Sequence, residues 1–478
     1  MEFDLSKKYC YYFKQISDIP RGSRNEKAIS DYVVEFAKAH GYEYKQDDVY
    51  NVIVNKPASP GYEDAKPIIL QAHMDMVCEK NKDTVHDFEK DPLDLYVDEK
   101  GWLHARGTTL GADDGQGVAY MLAILDDKDL KHPALQCAFT VMEEIGLLGA
   151  KSLKKEDFYA KRYINLDAGG EDQTCVTSSG AARACITKNL HFEDNDDPSY
   201  LLKIRGLKGG HSAGCAHLER GNAISLAFRL MEELKEQYDD IRICDIDGGL
   251  KFNAIPRECD VAFASKVSLS DLQAAIKPLA DAIASELQYS DEGFYAVIEE
   301  TDHFDQVVSL ADSNDIIDYL YVLPDGLRHR SMAIEGLSIA SSNLGIIHIE
   351  NGQLFIGDLM RSALKSHGDQ MIYQFDLLSK QFGFDFKIND RYLGWNYEKD
   401  SELREILRGV LKERGIEMKE ESTHGGLECG IFKGMIEDLD IITYGPISEG
   451  EHTPEEKLDL ASFDRAYENL LKVLERCK

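Results

Sequence analysis

The sequence lacks three features that would place it in a membrane or an oxidising compartment. It has no run of roughly eighteen or more apolar residues, the length that a membrane span needs. Its first residues lack the basic-then-apolar pattern of a secretory leader. Its ten cysteines are dispersed, without the paired spacing of a disulfide framework or a Cys-type zinc site. We therefore expect a cytoplasmic protein with no membrane partner.

Positive charge is also scarce. The chain has 54 basic and 86 acidic residues, which give a formal net charge of −32. Such an excess of negative charge argues against binding to nucleic acid or to an anionic membrane surface. Most of the charge is expected on solvated faces, so only acidic residues in unusual positions need a further explanation.

The length and the order of the predicted elements indicate two domains. A chain of 478 residues is too long for one ordinary core. The first third alternates between helical and strand-like spacing. The predicted elements there are helices over 25–40 and 115–125 and strands over 49–54, 67–72 and 135–142. This alternation predicts an α/β domain with helices on both faces of a mixed, mostly parallel sheet.

The middle of the chain has a different pattern. Strand-like alternation over 181–205 is followed by β-α-β order, including a short strand over 251–255, which predicts an inserted α+β domain. Helix and strand patterns resembling the first third return from about Ser401. We place the first domain at 1–185 and 392–478 and the inserted domain at 186–391.

In five segments, a strand-like run or a tight turn ends with a residue that can bind a metal ion. Open α/β sheets form their sites beyond the carboxyl ends of the strands, so such residues can converge there. The candidates are His73, Asp113, Glu143 with Glu144, Asp167 and His452. Two imidazoles and several carboxylates are the ligand set of a hydrolase with paired divalent metal ions.

Several of these residues have a second interpretation. Asp113 or its neighbour Asp114 could instead cap the following helix, and the two could divide the roles. Adjacent carboxylates at Glu143 and Glu144 repel each other unless a cation or a proton intervenes. One of them could bind metal while the other acts as a general base. Asp75 lies on the same face of an extended chain as His73, where it could orient the imidazole.

A glycine-flanked histidine, His211, lies in the middle region within Gly209-Gly210-His211-Ser212-Ala213-Gly214. It could polarise a substrate carbonyl, or it could be an ordinary turn residue. Ser212 raises the possibility of a serine hydrolase, but the segment does not place a second histidine and an aspartate beside it.

Taken together, these motifs resemble the co-catalytic zinc peptidase family that contains aminoacylases, carboxypeptidase G-type enzymes and cytosolic dipeptidases. The resemblance extends nearly end to end and is greatest to the Xaa-His dipeptidase branch. The segments that carry it are Leu70-Gln71-Ala72-His73-Met74-Asp75-Met76-Val77, Gly111-Ala112-Asp113-Asp114-Gly115 and Gly209-Gly210-His211-Ser212-Ala213-Gly214. Asp114 departs from the pattern, because many relatives of this branch have Asn there.

The resemblance implies a role for each candidate. His73 and Asp167 would hold one Zn²⁺ and Glu144 and His452 the other, with Asp113 bridging them, although Mn²⁺ or Co²⁺ could replace zinc. Asp75 would orient His73, Glu143 would be the general base, and a non-proline cis peptide would follow Asp113. His211 would stabilise the oxyanion, in related enzymes often from a partner subunit. The expected substrate-binding residues are Asn253, Arg361 and Gly426, with Arg361 suited to a carboxylate.

The resulting prediction is a metallodipeptidase that cleaves short peptides such as Ala-His or β-Ala-His by attack of a metal-bridging hydroxide. The inserted region 186–391 would be a lid and dimerisation domain of a homodimer. The alternatives are a tripeptidase or an N-acyl amino acid amidohydrolase on the same scaffold, or a binding protein that has lost its chemistry.

Overall fold

A computed structural model describes residues 3–423 and 425–478 of the chain. Within these residues the chain forms two compact units. The first contains residues 3–178, 397–423 and 427–478, and the second contains 179–396 and 425–426. The second unit therefore interrupts the first along the chain.

The opening part of the first unit contains four helices and eight strands. The helices are α1 (Lys8–Ser17), α2 (Lys27–His40), α3 (Ala112–Asp126) and α4 (Leu148–Ser152), with a 3₁₀ turn at Lys155–Asp157. The strands are β1 (Glu43–Gln46), β2 (Val52–Lys56), β3 (Ile68–His73), β4 (Leu95–Val97), β5 (Trp102–Ala105), β6 (Leu135–Thr140), β7 (Arg162–Asn165) and β8 (Gln173–Ser178).

The second unit contains four helices and fourteen strands. The helices are α5 (Ala223–Gln237), α6 (Leu269–Glu286), α7 (Leu310–Val322) and α8 (Lys365–Gln381), with a 3₁₀ turn at Ala216–Leu218. The strands are β9 (Gly180–Asn189), β10 (Phe192–Asp194), β11 (Ser199–Arg205), β12 (Gly210–His211), β13 (Arg242–Gly248), β14 (Ala254–Ile255), β15 (Cys259–Ala264), β16 (Tyr295–Glu300), β17 (Gln306–Val308), β18 (Gly326–Arg330), β19 (Ser338–Ser342), β20 (Leu344–Glu350), β21 (Gln353–Ser362) and β22 (Asp385–Tyr392).

The closing part of the chain completes the first unit with three helices and four strands. The helices are α9 (Glu402–Glu413), α10 (Glu428–Met435) and α11 (Leu460–Arg476), and the strands are β23 (Lys419–Thr423), β24 (Asp440–Thr443), β25 (Ser448–Glu449) and β26 (Lys457–Asp459).

A six-stranded sheet organises the first unit, in the order β1-β2-β6-β3-β7-β24. The four strands β6, β3, β7 and β24 are parallel, and β1 and β2 add an antiparallel edge. Every residue of β3, from Ile68 to His73, is buried. Such continuous burial is typical of a central parallel strand that is covered on both faces. The two faces of β3 differ, because Leu70 joins the core formed with α1 and α3 whereas Gln71 contacts Glu428 at the start of α10.

The second unit contains a ten-stranded sheet whose strand pairs are antiparallel, together with α5 to α8. Strands β9 and β22 pair with each other within this sheet. The sequence-based domain limits at 185/186 and 391/392 fall inside these two strands, because strand alternation in β9 and β22 carries no signal of which sheet they join.

Most predicted elements of the first third have a counterpart in the structure, with ends shifted by a few residues. Helix α2 buries Ile29, Val33 and Phe36 and is followed by Gly41, whose left-handed conformation suits a glycine. The strand predicted over 251–255 is reduced to Ala254–Ile255, after a turn in which Gly249 has a φ of 67°. Among the described residues, no helix combines the length and the apolar character needed to span a bilayer.

Candidate metal and catalytic site

Parallel strands bring the candidate ligands to one edge of the first unit's sheet. His73 is the last residue of β3, Glu143 follows the end of β6 by three residues, and Asp167 follows the end of β7 by two. Because β6, β3 and β7 are adjacent and parallel, their carboxyl ends meet at the same edge. Asp113 comes from the start of α3, and His452 comes from the loop between β25 and β26.

Asp113 lies at the centre of this group. Its Oδ1 lies 3.0 Å from Nε2 of His73, and its Oδ2 lies 3.2 Å from Nε2 of His452. The same nitrogen of His452 lies 3.0 Å from Oε2 of Glu144. The two oxygens of Asp113 therefore face two different imidazoles, as a bridging carboxylate would.

Three overlapping sets of potential ligands lie within metal-binding range. In each set, one ligand atom per residue lies within 4.8 Å of the others. The sets are His73 with Asp113 and Asp167, His73 with Glu143 and Glu144, and Asp113 with Glu144 and His452. All six predicted residues thus converge, and the first and third sets share Asp113.

Asp75 connects the His73 strand to the Glu143-Glu144 segment. Its Oδ1 accepts the backbone N–H of Glu143 at 3.0 Å, and its Oδ2 accepts that of Glu144 at 3.4 Å and the hydroxyl of Ser23 at 2.8 Å. Nδ1 of His73 lies 3.1 Å from the Asp75 carbonyl oxygen and 3.5 Å from Oδ1. Asp75 thus faces the ring nitrogen that does not point toward Asp113.

The carboxylates of the site perturb one another strongly. Burial raises the pKa of Glu143 and of Asp167 well above their usual range, and neighbouring negative charges add to the shift. Burial and the charge of Asp113 raise the pKa of Glu144 to about 7. Burial also acts to raise the pKa of Asp113, but its hydrogen bonds with His452 and His73 outweigh this effect and hold the pKa below the usual range. Positive charge would stabilise such a cluster of carboxylates.

Asp113 and Asp114 make different contacts. The Asp113 side chain faces the two histidines, whereas Oδ1 of Asp114 accepts the N–H of Gly117 in α3 at 3.1 Å. Oδ2 of Asp114 lies 3.3 Å from the backbone nitrogen of His73, which donates to it. The peptide bond between Asp113 and Asp114 is cis, and that prediction is confirmed.

Sequence reasoning missed a buried carboxylate near the site, Glu428, at the start of α10. Its Oε2 accepts hydrogen bonds from Thr140 Oγ1 at 2.7 Å and from the side-chain amide of Gln71. Its Oε1 is buried without a partner among the described residues. Burial raises the pKa of Glu428 to about 7. Only its place directly after the predicted substrate segment at Gly426 could have drawn attention to it.

The remaining predicted residues belong to the second unit. Backbone pairing places His211 opposite Ala254, and Ser212 N donates to the carbonyl of Asn253 at 3.0 Å. Nδ1 of His211 accepts the N–H of Gly214 at 3.2 Å, so in the neutral ring the proton lies on Nε2. Burial, followed by the charge of Arg361, lowers the pKa of His211.

Asn253 and Arg361 line one cavity of about 380 Å³ in this unit, together with Tyr392. Gly426 lies against the ring of Tyr392, since a Cβ added at Gly426 would come within 2.6 Å of Cε2. The three predicted substrate-binding residues are thus brought to the neighbourhood of one tyrosine.

Comparison with known proteins agrees with this geometry. The model of peptidase family M20/M25/M40 matches residues 69–476. The cytosol non-specific dipeptidase of Escherichia coli (strain K12) is 33% identical over 469 residues, covering 97% of this chain and 96% of that protein. The crystal structure of aminoacylhistidine dipeptidase from Vibrio alginolyticus matches with a TM-score of 0.91 and 31% identity, covering 98% of this chain and 96% of that one.

A tripeptidase from Staphylococcus aureus matches with a TM-score of 0.55 and 16% identity, covering 100% of this chain and 99% of that one, and it shares the fold alone. The family match covers far more than half of the chain, and the resemblance inferred from the motifs is confirmed. The chain belongs to peptidase family M20/M25/M40 and is a peptide hydrolase.

Proposed function

We propose that this chain is a dipeptidase with two Zn²⁺ ions per subunit, acting on Xaa-His dipeptides such as Ala-His or β-Ala-His. Mn²⁺ or Co²⁺ could occupy the same ligands. The observation that carries the proposal is the position of Asp113, whose two oxygens face His73 and His452 within overlapping ligand sets. The dipeptidases from E. coli and V. alginolyticus, similar over nearly their whole length, support the substrate class.

The residues present fit a pair of divalent ions. Imidazole nitrogens and carboxylate oxygens are zinc ligands, and Oε1 of Glu144 is buried with no partner among the described residues. In the proposed arrangement, His73 and Asp167 would hold one ion, Glu144 and His452 would hold the other, and Asp113 would contribute to both. Asp75 orients His73 through Nδ1, which fixes the proton on that nitrogen and leaves Nε2 for metal.

Glu143 is proposed as the general base. It lies beside Glu144, and its backbone is held by Asp75, so its carboxylate is aimed from a fixed segment. Bound divalent ions would lower the pKa of a water molecule and polarise the peptide carbonyl. Glu143 takes the proton of the attacking water and delivers it to the leaving amine.

His211 and Arg361 are proposed to act on the substrate. The neutral His211 carries its proton on Nε2 and donates it as a hydrogen bond to the oxyanion that forms on the carbonyl oxygen. Arg361, with Asn253 and Gly426, binds the free carboxylate of the peptide, and a guanidinium can do so with two hydrogen bonds. A requirement for that carboxylate would limit the enzyme to short peptides.

The proposal also includes the location and the assembly. We propose that the protein works in the cytoplasm as a homodimer, in which the inserted unit serves as lid and dimerisation domain and His211 acts in its own or the partner's site. The ten cysteines are all free, in keeping with a reducing compartment. Size-exclusion chromatography with light scattering checks the dimer directly.

The test is a substrate panel on protein of known metal content. Ala-His and β-Ala-His should be cleaved in preference to Ala-Ala-Ala and N-acetyl amino acids. Glu143→Gln should keep its metal while kcat falls by roughly 10²–10⁴-fold, the usual contribution of a general base. Glu89→Gln, which changes an exposed glutamate of the same unit, is the matched control and should leave kcat unchanged.

Two outcomes would contradict the proposal. Preferential cleavage of Ala-Ala-Ala or of N-acetyl amino acids would replace it with a tripeptidase or an amidohydrolase. A wild-type protein that holds two metal ions and cleaves no peptide would indicate a binding role.

A further inference from the structure

One buried carboxylate outside the predicted ligand set, Glu456, binds the turn that carries Asp113. Its Oε2 accepts the backbone N–H groups of Leu110 and Gly111 at 2.7 and 2.8 Å. Its Oε1 accepts those of Ala112 and Asp113 at 2.8 and 3.2 Å. Four consecutive backbone donors thus point at one side chain that is 2% exposed. Hydrogen bonds to a charged acceptor in a buried site are among the stronger ones in proteins.

Glu456 also belongs to the loop that carries His452. Its own N–H donates to the carbonyl of Thr453 at 3.1 Å, and the N–H of Thr453 donates to Gly450 at 3.2 Å. The next residue begins β26, which pairs with β5 and so anchors the loop to a sheet. The position of Glu456 is therefore set by the His452 loop, and the position of the Asp113 turn is set by Glu456.

A buried arginine, Arg21, binds the same turn from the other side. Its Nη2 donates to the carbonyl of Gly111, and its Nη1 donates to the carbonyls of Met74 and Asp75 at 3.0 and 3.2 Å. Arg21 is 1% exposed. Gly111 thus gives its N–H to Glu456 and its carbonyl to Arg21, while Arg21 also holds the residues directly after His73.

Glycine is required at 111 for both geometric and steric reasons. Its φ of 65° is in the left-handed region. A Cβ there would lie 2.5 Å from Nη2 of Arg21 and 2.8 Å from Sδ of Met76. The close fit of the arginine against the turn depends on this absent side chain.

We infer that Glu456 is a positioning residue, which with Arg21 fixes the bridging Asp113 relative to His73 and His452. The two oxygens of Asp113 face His73 and His452 and would contribute to both ions, so a small shift of the turn would misplace both oxygens. The inference rests on the proposed metal arrangement. It assigns Glu456 no contact with substrate.

The first experiment measures Zn²⁺ affinity of Glu456→Gln by competition with a chromophoric chelator, with metal content measured after dialysis. The amide cannot accept all four N–H groups, so the affinity for the more weakly held ion should fall about 10-fold or more, as for other residues that orient metal ligands. At saturating Zn²⁺, KM for Ala-His should stay within about twofold of wild type, since Glu456 lies outside the substrate-binding set. Glu455→Gln, an exposed neighbour in the same loop, is the matched control and should behave as wild type.

Two further variants separate positioning from general stability. Phe463→Ala removes a buried ring in α11 and should lower the melting temperature without changing Zn²⁺ affinity. Glu456→Asp keeps the charge on a side chain one methylene shorter, and its affinity should lie between those of Glu456→Gln and wild type. If Glu456→Gln does not fold, Glu456→Asp decides the question by the same measurement.

Wild-type Zn²⁺ affinity in a folded Glu456 variant would overturn the inference, and so would an equal loss of affinity in Phe463→Ala. Neither readout depends on hydrolysis. If wild type binds two ions but cleaves no dipeptide, the proposed function fails while the effect of Glu456 on metal affinity is still measured.

Discussion

Replacing Asp75 by Asn tests how the His73 imidazole is held. The two oxygens of this carboxylate have different partners. Oδ1 accepts a hydrogen bond from the N–H of Glu143 at 3.0 Å. Oδ2 accepts one from the Ser23 hydroxyl and a longer one, at 3.4 Å, from the N–H of Glu144. An asparagine can keep its oxygen at the Oδ1 position and place its amide at the Oδ2 position. Ser23 can then reverse its role and accept a hydrogen bond. Only the N–H of Glu144 loses its acceptor.

The expected effects follow from the loss of this one hydrogen bond. An unsatisfied buried donor costs about 1–3 kcal/mol, so the free energy of unfolding should fall by about that amount. The orientation of His73 should survive in part, since its Nδ1 also lies 3.1 Å from the backbone carbonyl of Asp75, which the substitution retains. Loss of a residue that orients a metal ligand typically costs about 10–100-fold in affinity or activity, and here we expect the lower end, about 10-fold.

The assay combines chelator competition for Zn²⁺, kcat on Ala-His and urea unfolding, each on Asp75→Asn and wild type. Ser23→Ala is the matched control, because it removes one donor and leaves the carboxylate in place. It should change metal affinity and kcat by less than about threefold. A loss of 100-fold or more in a folded Asp75→Asn protein would show that the carboxylate alone orients His73, and wild-type values would show that it has no such role.

Three further predictions concern other parts of the structure. Burial raises the pKa of Glu428 from 4.5 to about 7, so in metal-free protein its ionisation lowers the free energy of unfolding as the pH rises from 4.5 to 7. Above pH 7, Glu428→Gln should therefore be more stable than wild type by about 3 kcal/mol. Urea unfolding at several pH values measures this difference. Gly426→Ala would place a Cβ 2.6 Å from the ring of Tyr392, and overpacking of about 1–3 kcal/mol should raise KM for Ala-His about tenfold with metal content unchanged. Phe463→Ala removes a fully buried ring that contacts Tyr9 in α1 and Tyr120 in α3. Thermal unfolding should show that the free energy of unfolding falls by about 3–5 kcal/mol.

The cluster of candidate ligands could be predicted from sequence because each member lies next to a local pattern. His73, Glu143 and Asp167 each follow an apolar run, and the rule that parallel strands end at one edge is enough to bring them together. The glycine-flanked turn also indicates Asp113 and Asp114 as candidates, although the different contacts of the two side chains needed coordinates.

The residues that hold the candidate ligands in place could not be predicted in this way. Arg21 binds carbonyls 53 and 90 residues away along the chain, and nothing near it in sequence indicates a buried arginine. Glu455 and Glu456 are adjacent glutamates, one exposed and one buried, and the choice between them depends on the pairing of β26 with β5. The same limit applies to the domain boundaries, since the pairing of β9 with β22 joins residues about two hundred positions apart.

The electrostatics of the site explain why such positioning residues are needed. Burial and neighbouring carboxylates raise the pKa values of Glu143, Glu144 and Asp167, so without cations the negative charges of these carboxylates repel one another and favour separation. Divalent ions would reverse that preference, but only after the ligands are near their final places. The structure holds the Asp113 turn through backbone groups bound by Glu456 and Arg21, which form no part of the ligand set. Because these bonds do not depend on the charge of the ligands, the frame can persist whether or not metal is bound, and metal-free protein should keep the turn while losing order at Glu144 and His452.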